Sequence, residues 1–517
     1  MIAPPEGRDG PRGEGQGRKP SMHDHGKSDS PVVPAKPPNN AAQAVAEVVE
    51  GRGLAEGNTA SKTRAGHRAG GDASSALDRV RRVARKDKEA RFTALLHHVT
   101  VDRLRGAYRA ISPRAAAGVD GVTWQSYGQQ LEDNLHDLHA RLHRGAFRAK
   151  PSRRVHIPKA DGRLRPLGIA ALEDKIVQRA VVEVLNAIYE TDFLGFSYGF
   201  RPGRSPHDAL DALAAGILKK RVNWVLDADI RDYFSSLDHS WLERFLGHRI
   251  ADRRVLRLIQ KWLRAGVIED GSWTDSDEGT PQGASVSPLL ANVYLHYVLD
   301  LWAEQWRRRN AHGDVVIVRW ADDFIVGFEH RDDAERFLAD LRERFSKFAL
   351  ELNAEKTRLI EFGRLAARDR KARGLGRPET FDFLGFTHCC AKNRSGGFML
   401  RRTTIKKRMA AKLREVKTSL MARRHLSIPE QGRWLASVVR GHLAYYAVPG
   451  NIDTVVAFRT QATRHWYRAL RRRSQRHRLD WTRMNRLSVR WLPPARIKHP
   501  WPDARFAAKT QGRSPVR

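Results

Sequence analysis

The stretch VVIVRWADDFIVGF, residues 315–328, sets two adjacent aspartates, Asp322 and Asp323, between two apolar runs of strand length. Short β-branched and aromatic runs of this kind read as buried strands. Two like charges side by side between buried strands face repulsion and desolvation together, so something must compensate. A metal ion is the obvious candidate.

A second strand-like stretch, VNWVLDADI, carries Asp227 and Asp229 two residues apart, so on a strand they face the same way. In RWADDF the aspartates are consecutive, and a straight strand would aim them at opposite faces; a tight hairpin turn can present both near one point. Three carboxylates from two separated strand segments can hold two magnesium ions, an arrangement that activates a hydroxyl and stabilises a leaving pyrophosphate.

Other stretches suit the polyphosphate end of such chemistry. RRVHIPKADGRLRPLGIA alternates apolar residues around Asp161-Gly162 and predicts a β-hairpin, with Lys159 and Arg165 beside its turn as charge-assisted donors. GTPQGASVSPLLAN places Gln282 between Pro281 and Gly283, where backbone can approach a ligand closely and the amide can donate and accept. The helix that follows, SPLLANVYLHYVLDLW, is expected to take Ser287 as its N-cap and Pro288 in its first turn.

Charge supplies the partner class. Lys plus Arg number 93 against 58 acids, a formal net charge of +35, which points to a polyanion and above all to nucleic acid. The only cysteines are the neighbours Cys389 and Cys390, and no Cys/His cluster has zinc-ligand spacing. The N-terminus lacks the apolar core of a signal peptide and no run of 18 apolar residues occurs, so a cytoplasmic protein with no membrane partner is expected.

Along the chain, residues 1–72 are rich in Gly, Pro, Ala, Ser and charge and read as a disordered basic tail. From Ser75 a helical spacing runs through Leu77, Val80 and Val83 and on to Phe92, Leu95 and Leu96, and VDRLRGAYRAI reads as a second helix. EDKIVQRAVVEVLNAIYE is strongly helical, and DDAERFLADLRERFSKF is amphipathic. Past about residue 400, three helical stretches follow, and residues 401–517 hold 29 Lys plus Arg against 5 acids, net +24. The expected organisation is an α/β (α+β) body at 73–395, an all-α basic domain at 396–491 and a basic tail at 492–517.

The order of these features is specific. GVDGVT (118–123), HIPKADGRLRPLGI (156–169), SYGFRPGRSPHDAL (197–210), LDADIRDYFSSLDH (226–239), GTPQGASVSPLLANVYLHYVLD (279–300), RWADDF (319–324), LELNAEKTRLIEF (350–362), FDFLGF (381–386) and RGHLAYYAVPGN (440–451) together resemble the reverse transcriptases of group II introns, the intron-encoded maturases. The resemblance covers roughly residues 75–475. It implies a right-hand polymerase, with fingers and palm followed by a helical thumb that doubles as the maturase X domain. It also implies a nucleotidyltransferase that binds group II intron RNA, assists its splicing and copies it into DNA primed on target DNA (retrohoming), using two Mg2+ ions and dNTPs. A bacterial cytoplasmic ribonucleoprotein with no obligate protein partner would fit.

By motif position, the resemblance makes Asp229, Asp322 and Asp323 the metal ligands and leaves Asp227 a supporting carboxylate. Lys159, Arg165, Ile230, Phe234 and Gln282 fall on the nucleotide site, Phe234 where a bulky residue excludes a 2′-hydroxyl. Trp320, Asn353, Lys356 and Gly385 fall near the primer. Arg201, Arg204, Arg440, Tyr445, Arg471, Arg472 and Arg473 are candidate RNA contacts, as aromatics among basic residues suit RNA. The family usually has Tyr in place of Trp320, and Lys-Gly in place of Arg231-Asp232. Many relatives end in a Cys-paired endonuclease; no cysteine follows Cys390 here, so second-strand nicking is not expected. Two other readings remain: a non-catalytic RNA-binding splicing factor, which the intact aspartates oppose, and a domesticated retron- or defence-type enzyme, which the RGHLAYYAVPGN segment opposes.

Overall fold

The strands that carry the aspartates form one antiparallel sheet. β3 (Trp224–Asp229), β6 (Val315–Trp320), β7 (Asp323–Phe328) and β8 (Arg358–Glu361) are ordered β6-β7-β3-β8. The protein is seen here as a computed structural model. It describes residues 71–158, 164–269, 272–274, 279–280, 283–393, 395–473 and 479–505, all within one compact unit. The β1 (Ser152–Pro158) and β2 (Leu164–Ile169) strands pair as the expected hairpin and join β4 (Val267–Glu269) and β5 (Ser272–Thr274) in a second sheet. A third sheet holds β9 (Phe381–Phe383), β10 (Phe386–Lys392) and β11 (Phe398–Thr404).

Both faces of the aspartate sheet are covered, which explains its near-continuous apolar strands. Leu226, Ala228, Ile317, Phe324 and Val326 enter the larger core, against the helices Leu172–Asp192, His239–Gly247, Ser287–Leu295 and Arg331–Ser346. The alternate residues Val225, Val316, Val318 and Ile325 enter a second core with the helix Pro206–Lys219 and with Phe381, Phe383 and Phe386 of the third sheet. By the same alternation Asp227, Asp229, Asp323 and Trp320 project on the second-core side, and Arg319 on the first.

The basic C-terminal region is helical, as its seam implies. The helices Lys406–Ala422, Ile428–Tyr446, Ile452–Arg471 and Trp481–Trp491 enclose their own core around Trp466, Phe458, Leu435 and Val439. Ser427 and Glu430 form a capping box, and the buried Gln431 amide donates to the carbonyls of Arg423, Arg424 and Leu426, which ends the preceding helix. The boundary expected at 395/396 falls between β10 and β11, in the turn of one hairpin. Residues 492–505, expected as tail, run back over the body: Lys498 and His499 donate backbone N–H groups to Ala447, and Arg505 pairs with Asp211 at 2.8 Å.

Two helical expectations need correction. The first helix ends at Lys86 rather than running on to Leu96. The Asp87 carboxylate accepts from the N–H groups of Glu89 and Ala90, while the Leu95 and Leu96 N–H groups are taken by Asp252. Ser287 is not a cap but the first helical residue, after Val286, and it is buried. The helix it opens passes through a π-turn at His296–Asp300 before continuing as Leu301–Arg309. The expected disordered tail, 1–72, lies outside the described residues save for Gly71 and Asp72, which begin the first helix.

Candidate active site

A two-residue turn builds the site. Trp320 pairs with Asp323 across the β6–β7 hairpin, leaving Ala321 and Asp322 as its tip, with Ala321 at φ +56°. Asp323, the first residue of β7, stands opposite Asp229, the last of β3. Asp229, Asp322 and Asp323 thus converge at one end of the sheet. Burial, then the charges of Asp322, Asp227 and Asp229, push the Asp323 carboxyl well above the usual carboxylate range, with Arg408 opposing. Asp227 is also raised, chiefly by burial, although Arg358 opposite it on β8 donates to its carboxylate at 3.1 Å. That pairing suits the supporting place the motif order assigned to Asp227.

The neighbouring segment closes over the end of β3. Ile230 bridges Leu352, the Asn353 N–H donates to the Asp229 carbonyl at 2.8 Å, and Lys356 Nζ reaches the Asp229 carboxylate at 2.6 Å. Asp232 sits at φ +40°, a backbone region that suits glycine, which accounts for the commoner Lys-Gly at this step. Phe234, half-buried, begins the tight stretch to Leu237; its carbonyl accepts from Thr280 N–H at 2.7 Å, so the segment leading to Gln282 abuts it. Lys159 and Gln282 lie outside the described residues, and of Arg165 only the backbone, opposite Ile157 in β2, is described.

On the far side, Gly385 at φ +84° lies between Leu384 and Phe386, where an added Cβ would meet the Tyr446 hydroxyl at 3.1 Å. Tyr445 donates its hydroxyl to the Leu384 carbonyl at 2.8 Å and packs beside Phe386 and His207. Trp320 is half-buried and rests on the same core. Tyr445, expected to stack on RNA, is therefore engaged in joining the helical region to the body. Arg201 is likewise corrected: it is buried, and its guanidinium is used by Glu190 and the carbonyls of Leu194 and Ser197. Arg204 lies over Tyr198 and donates to the Gly195 carbonyl; Arg473 donates to the Leu426 carbonyl. Arg440, Arg471 and Arg472 are exposed. The last two line a groove of about 560 Å³ with Arg464, Arg468, Tyr467 and Trp481. The Tyr467 and Trp481 rings stack there at 4.3 Å.

The first-core side of the hairpin carries a network that the motif reading missed. Arg319 is fully buried and pairs with the equally buried Asp300 at 2.6 Å. Its other bonds go to Asn292 Oδ1, Ser197 Oγ and the Ala321 carbonyl. A signal was present: an arginine inside VVIVRW has to be paired if that strand is buried on both faces.

The carboxylate set fits a divalent cation. It offers hard oxygen donors only, and a cation would relieve the mutual repulsion that burial intensifies. Another acidic group joins the exposed His312 and Asp332 to the buried Asp333. There Asp333 accepts from the His312 and Gly313 N–H groups and pairs with Arg336, a loop-capping role.

Comparison with known proteins shows what this part of the chain resembles. Residues 157–388 match the reverse transcriptase (RNA-dependent DNA polymerase) family. This part of the chain is a reverse transcriptase domain, and it is similar to group II intron-encoded proteins. Its relatives include Protein YkfC of Escherichia coli K12, 37% identical over 240 residues, which are 40% of this chain and 62% of that protein. Group II intron-encoded protein LtrA of Lactococcus lactis is 33% identical over 231 residues, 44% of this chain and 38% of its own. Nuclear intron maturase 3, mitochondrial, of Arabidopsis thaliana is 29% identical over 125 residues, 24% of this chain and 17% of its own. The chain thus spans about three-fifths of the first relative and under two-fifths of the second. Reverse transcriptases are in general dependent on divalent metals, and the match takes in all three candidate ligands. Among the described residues no helix is long and apolar enough to cross a membrane.

Proposed function

We propose that the protein is an RNA-directed DNA polymerase that binds group II intron RNA, assists its splicing and copies it from the 3′-hydroxyl of target DNA. The observation that carries this is the meeting of Asp229, Asp322 and Asp323 where β3 faces the β6–β7 turn. Bound there, two Mg2+ ions would lower the pKa of the primer hydroxyl and stabilise the leaving pyrophosphate of a dNTP. The chain's own residues do the rest. Lys356 holds Asp229 in place, and Phe234 limits the space beside the sugar. Trp320 and the Leu384-Gly385 turn flank the primer, and Lys159, Arg165 and Gln282 meet the incoming nucleotide.

In this reading the body up to about residue 395 supplies fingers and palm, and the helices after Lys406 supply the thumb and maturase surface. The groove of Arg464, Arg468, Arg471 and Arg472 beside the Tyr467–Trp481 stack offers phosphate contacts and a stacking platform, which favours RNA among polyanions. Affinity for RNA should therefore fall steeply with salt as counterions are released.

The test pairs two assays on purified wild type and Asp322→Ala: primer extension on an RNA template with Mg2+, and splicing of the intron that flanks the gene. Wild type should make cDNA and promote splicing; the variant should lose the first and keep the second. A wild type that makes no cDNA would overturn the polymerase reading, and a folded variant that loses both would overturn the division of labour.

A further inference from the structure

The turn that bears Asp322 and Asp323 is held from behind. Arg319 immediately precedes Trp320, yet its side chain leaves the sheet on the face opposite the aspartates. There its guanidinium spends its donors on four different elements. Nε and one terminal nitrogen bond the two Asp300 oxygens at 2.7 and 2.6 Å, and that nitrogen also meets Ser197 Oγ at 2.7 Å. The other terminal nitrogen donates to Asn292 Oδ1 at 3.0 Å and to the Ala321 carbonyl at 2.9 Å. The last bond matters most, because Ala321 is the turn residue itself, held at φ +56°, where a side-chain-bearing residue is strained.

The neighbours of Arg319 tighten the same turn. Asn292 donates its amide to the Gly199 carbonyl at 2.7 Å, and a Cβ on Gly199 would lie 2.4 Å from the Ala321 nitrogen. The backbone of residues 196–198 is laced to Arg319: its N–H donates to Phe196 O, and its carbonyl accepts from Tyr198 N–H. Asp300 closes the π-turn His296–Asp300, and a π-turn changes which residues a helix directs inward. Arg319, Asp300 and Ser197 are entirely buried and Asn292 nearly so, while each polar contact of the guanidinium is to a group of this chain.

We propose that Arg319, Asp300 and Asn292 are positioning residues: they lock the Ala321-Asp322 turn in its strained conformation, so that Asp322 and Asp323 stand ready for divalent cations. The inference rests on the polymerase reading for its catalytic consequence, but not for its structural one. A misplacement of about 1 Å at a reacting centre lowers rate by about 100-fold. The geometry thus turns an electrostatic bond on one face of the sheet into positional precision on the other.

Three measurements on the full chain test this, with Arg319→Lys as the main variant. A lysine can keep the charge opposite Asp300 but not the simultaneous bonds to Ala321, Asn292 and Ser197. Hydrogen exchange of the peptide spanning 318–326 should quicken at least 10-fold. Binding of Mn2+ to the protein without nucleic acid, read by electron paramagnetic resonance, should weaken about 10-fold. In primer extension kcat should fall about 100-fold with little change in the KM for template–primer. Asn292→Ala, which leaves the ion pair intact, should show the same pattern at smaller amplitude.

Asp211→Asn serves as the control. It breaks another buried pair, Asp211 with Arg402 at 3.1 Å, and should lower melting temperature without altering hairpin exchange or Mn2+ affinity. If Arg319→Lys folds with unchanged hairpin exchange and Mn2+ affinity, or if Asp211→Asn changes both as much, the proposal is overturned. Should wild type fail to extend a primer, the polymerase reading falls alone, because the exchange and Mn2+ arms still judge the clamp.

Discussion

The two faces of the β6–β7 hairpin handle charge in opposite ways, one with fully buried groups and the other with half-buried ones. On one, Arg319 and Asp300 satisfy each other and draw in Asn292, Ser197 and the Ala321 carbonyl. On the other, Asp323, Asp322, Asp229 and Asp227 crowd together, with Lys356 and Arg358 bonded to Asp229 and Asp227 and Arg408 opposing the charge at Asp323. The first face is complete within the chain; in the proposed function the second would be completed by a cation. A site that must bind and release a ligand cannot satisfy itself, so its rigidity has to come from elsewhere, and here it comes through the sheet.

The largest effect should come from breaking the satisfied face. Asp300→Ala leaves the Arg319 guanidinium buried without its carboxylate, which should cost about 3–5 kcal/mol of stability. Urea denaturation against wild type measures it; a loss below about 1 kcal/mol would mean that water or a side-chain shift satisfies Arg319, and that the two faces are not so different.

A third way to manage buried charge sharpens the contrast: discarding it. His388 on β10 is fully buried beside Arg402 and stacked on Phe381, and burial first, then Arg402, pushes its imidazole down to about 3. His442, stacked on Phe458 at 3.5 Å, is pushed down to about 3 mainly by burial, with Lys412 adding to it. Unfolded imidazoles take a proton near pH 6.5, whereas these hold out to about 3. Between those values the unfolded chain binds more protons. Stability is therefore full above pH 6.5 and is lost as pH falls. Each histidine should contribute a slope of about 1.4 kcal/mol per pH unit below 6.5. Denaturation of wild type and His388→Leu at pH 7.5 and 5 should show the variant losing less on acidification; equal losses would remove His388 from the account.

Which parts were legible in the sequence follows from the same physics. Period-2 and period-3.6 patterns exposed the β1–β2 and β6–β7 hairpins, β3, and the helices from Leu172 and Lys406, because each buries a face that its own residues define. The convergence of Asp229, Asp322 and Asp323 could be read from motif order, since a two-residue turn and one antiparallel register suffice to make it. Arg319–Asp300 could not be read in that way. Its partners lie 19, 27 and 122 residues away, and the π-turn shifts the very helix register from which Asp300 would have been projected. The places of Tyr445 and Arg201 could not be read for a related reason: composition marks an aromatic or an arginine as suited to RNA, but only the fold decides whether its polar atoms are already taken.

The smallest effect, and the one of opposite sign, should come from relieving the crowded face. Asp323→Asn removes one of the converging carboxylates without changing shape, and should raise stability by about 1 kcal/mol while abolishing primer extension, as neutralising a strained functional group commonly does. The pH dependence fixes the cause. An unfolded aspartate ionises near pH 3.9, but in the fold Asp323 holds its proton to a higher pH. Across that interval the folded state binds more protons, so wild-type stability falls as pH rises, and the advantage of the variant should grow from pH 4 to pH 8. Millimolar Mn2+ should then stabilise wild type at pH 8 and leave Asp323→Asn nearly unmoved, reversing their order in a thermal melt. If the variant is the less stable at every pH without metal, Asp323 is satisfied by groups of the chain itself, and the contrast between the two faces of the hairpin collapses.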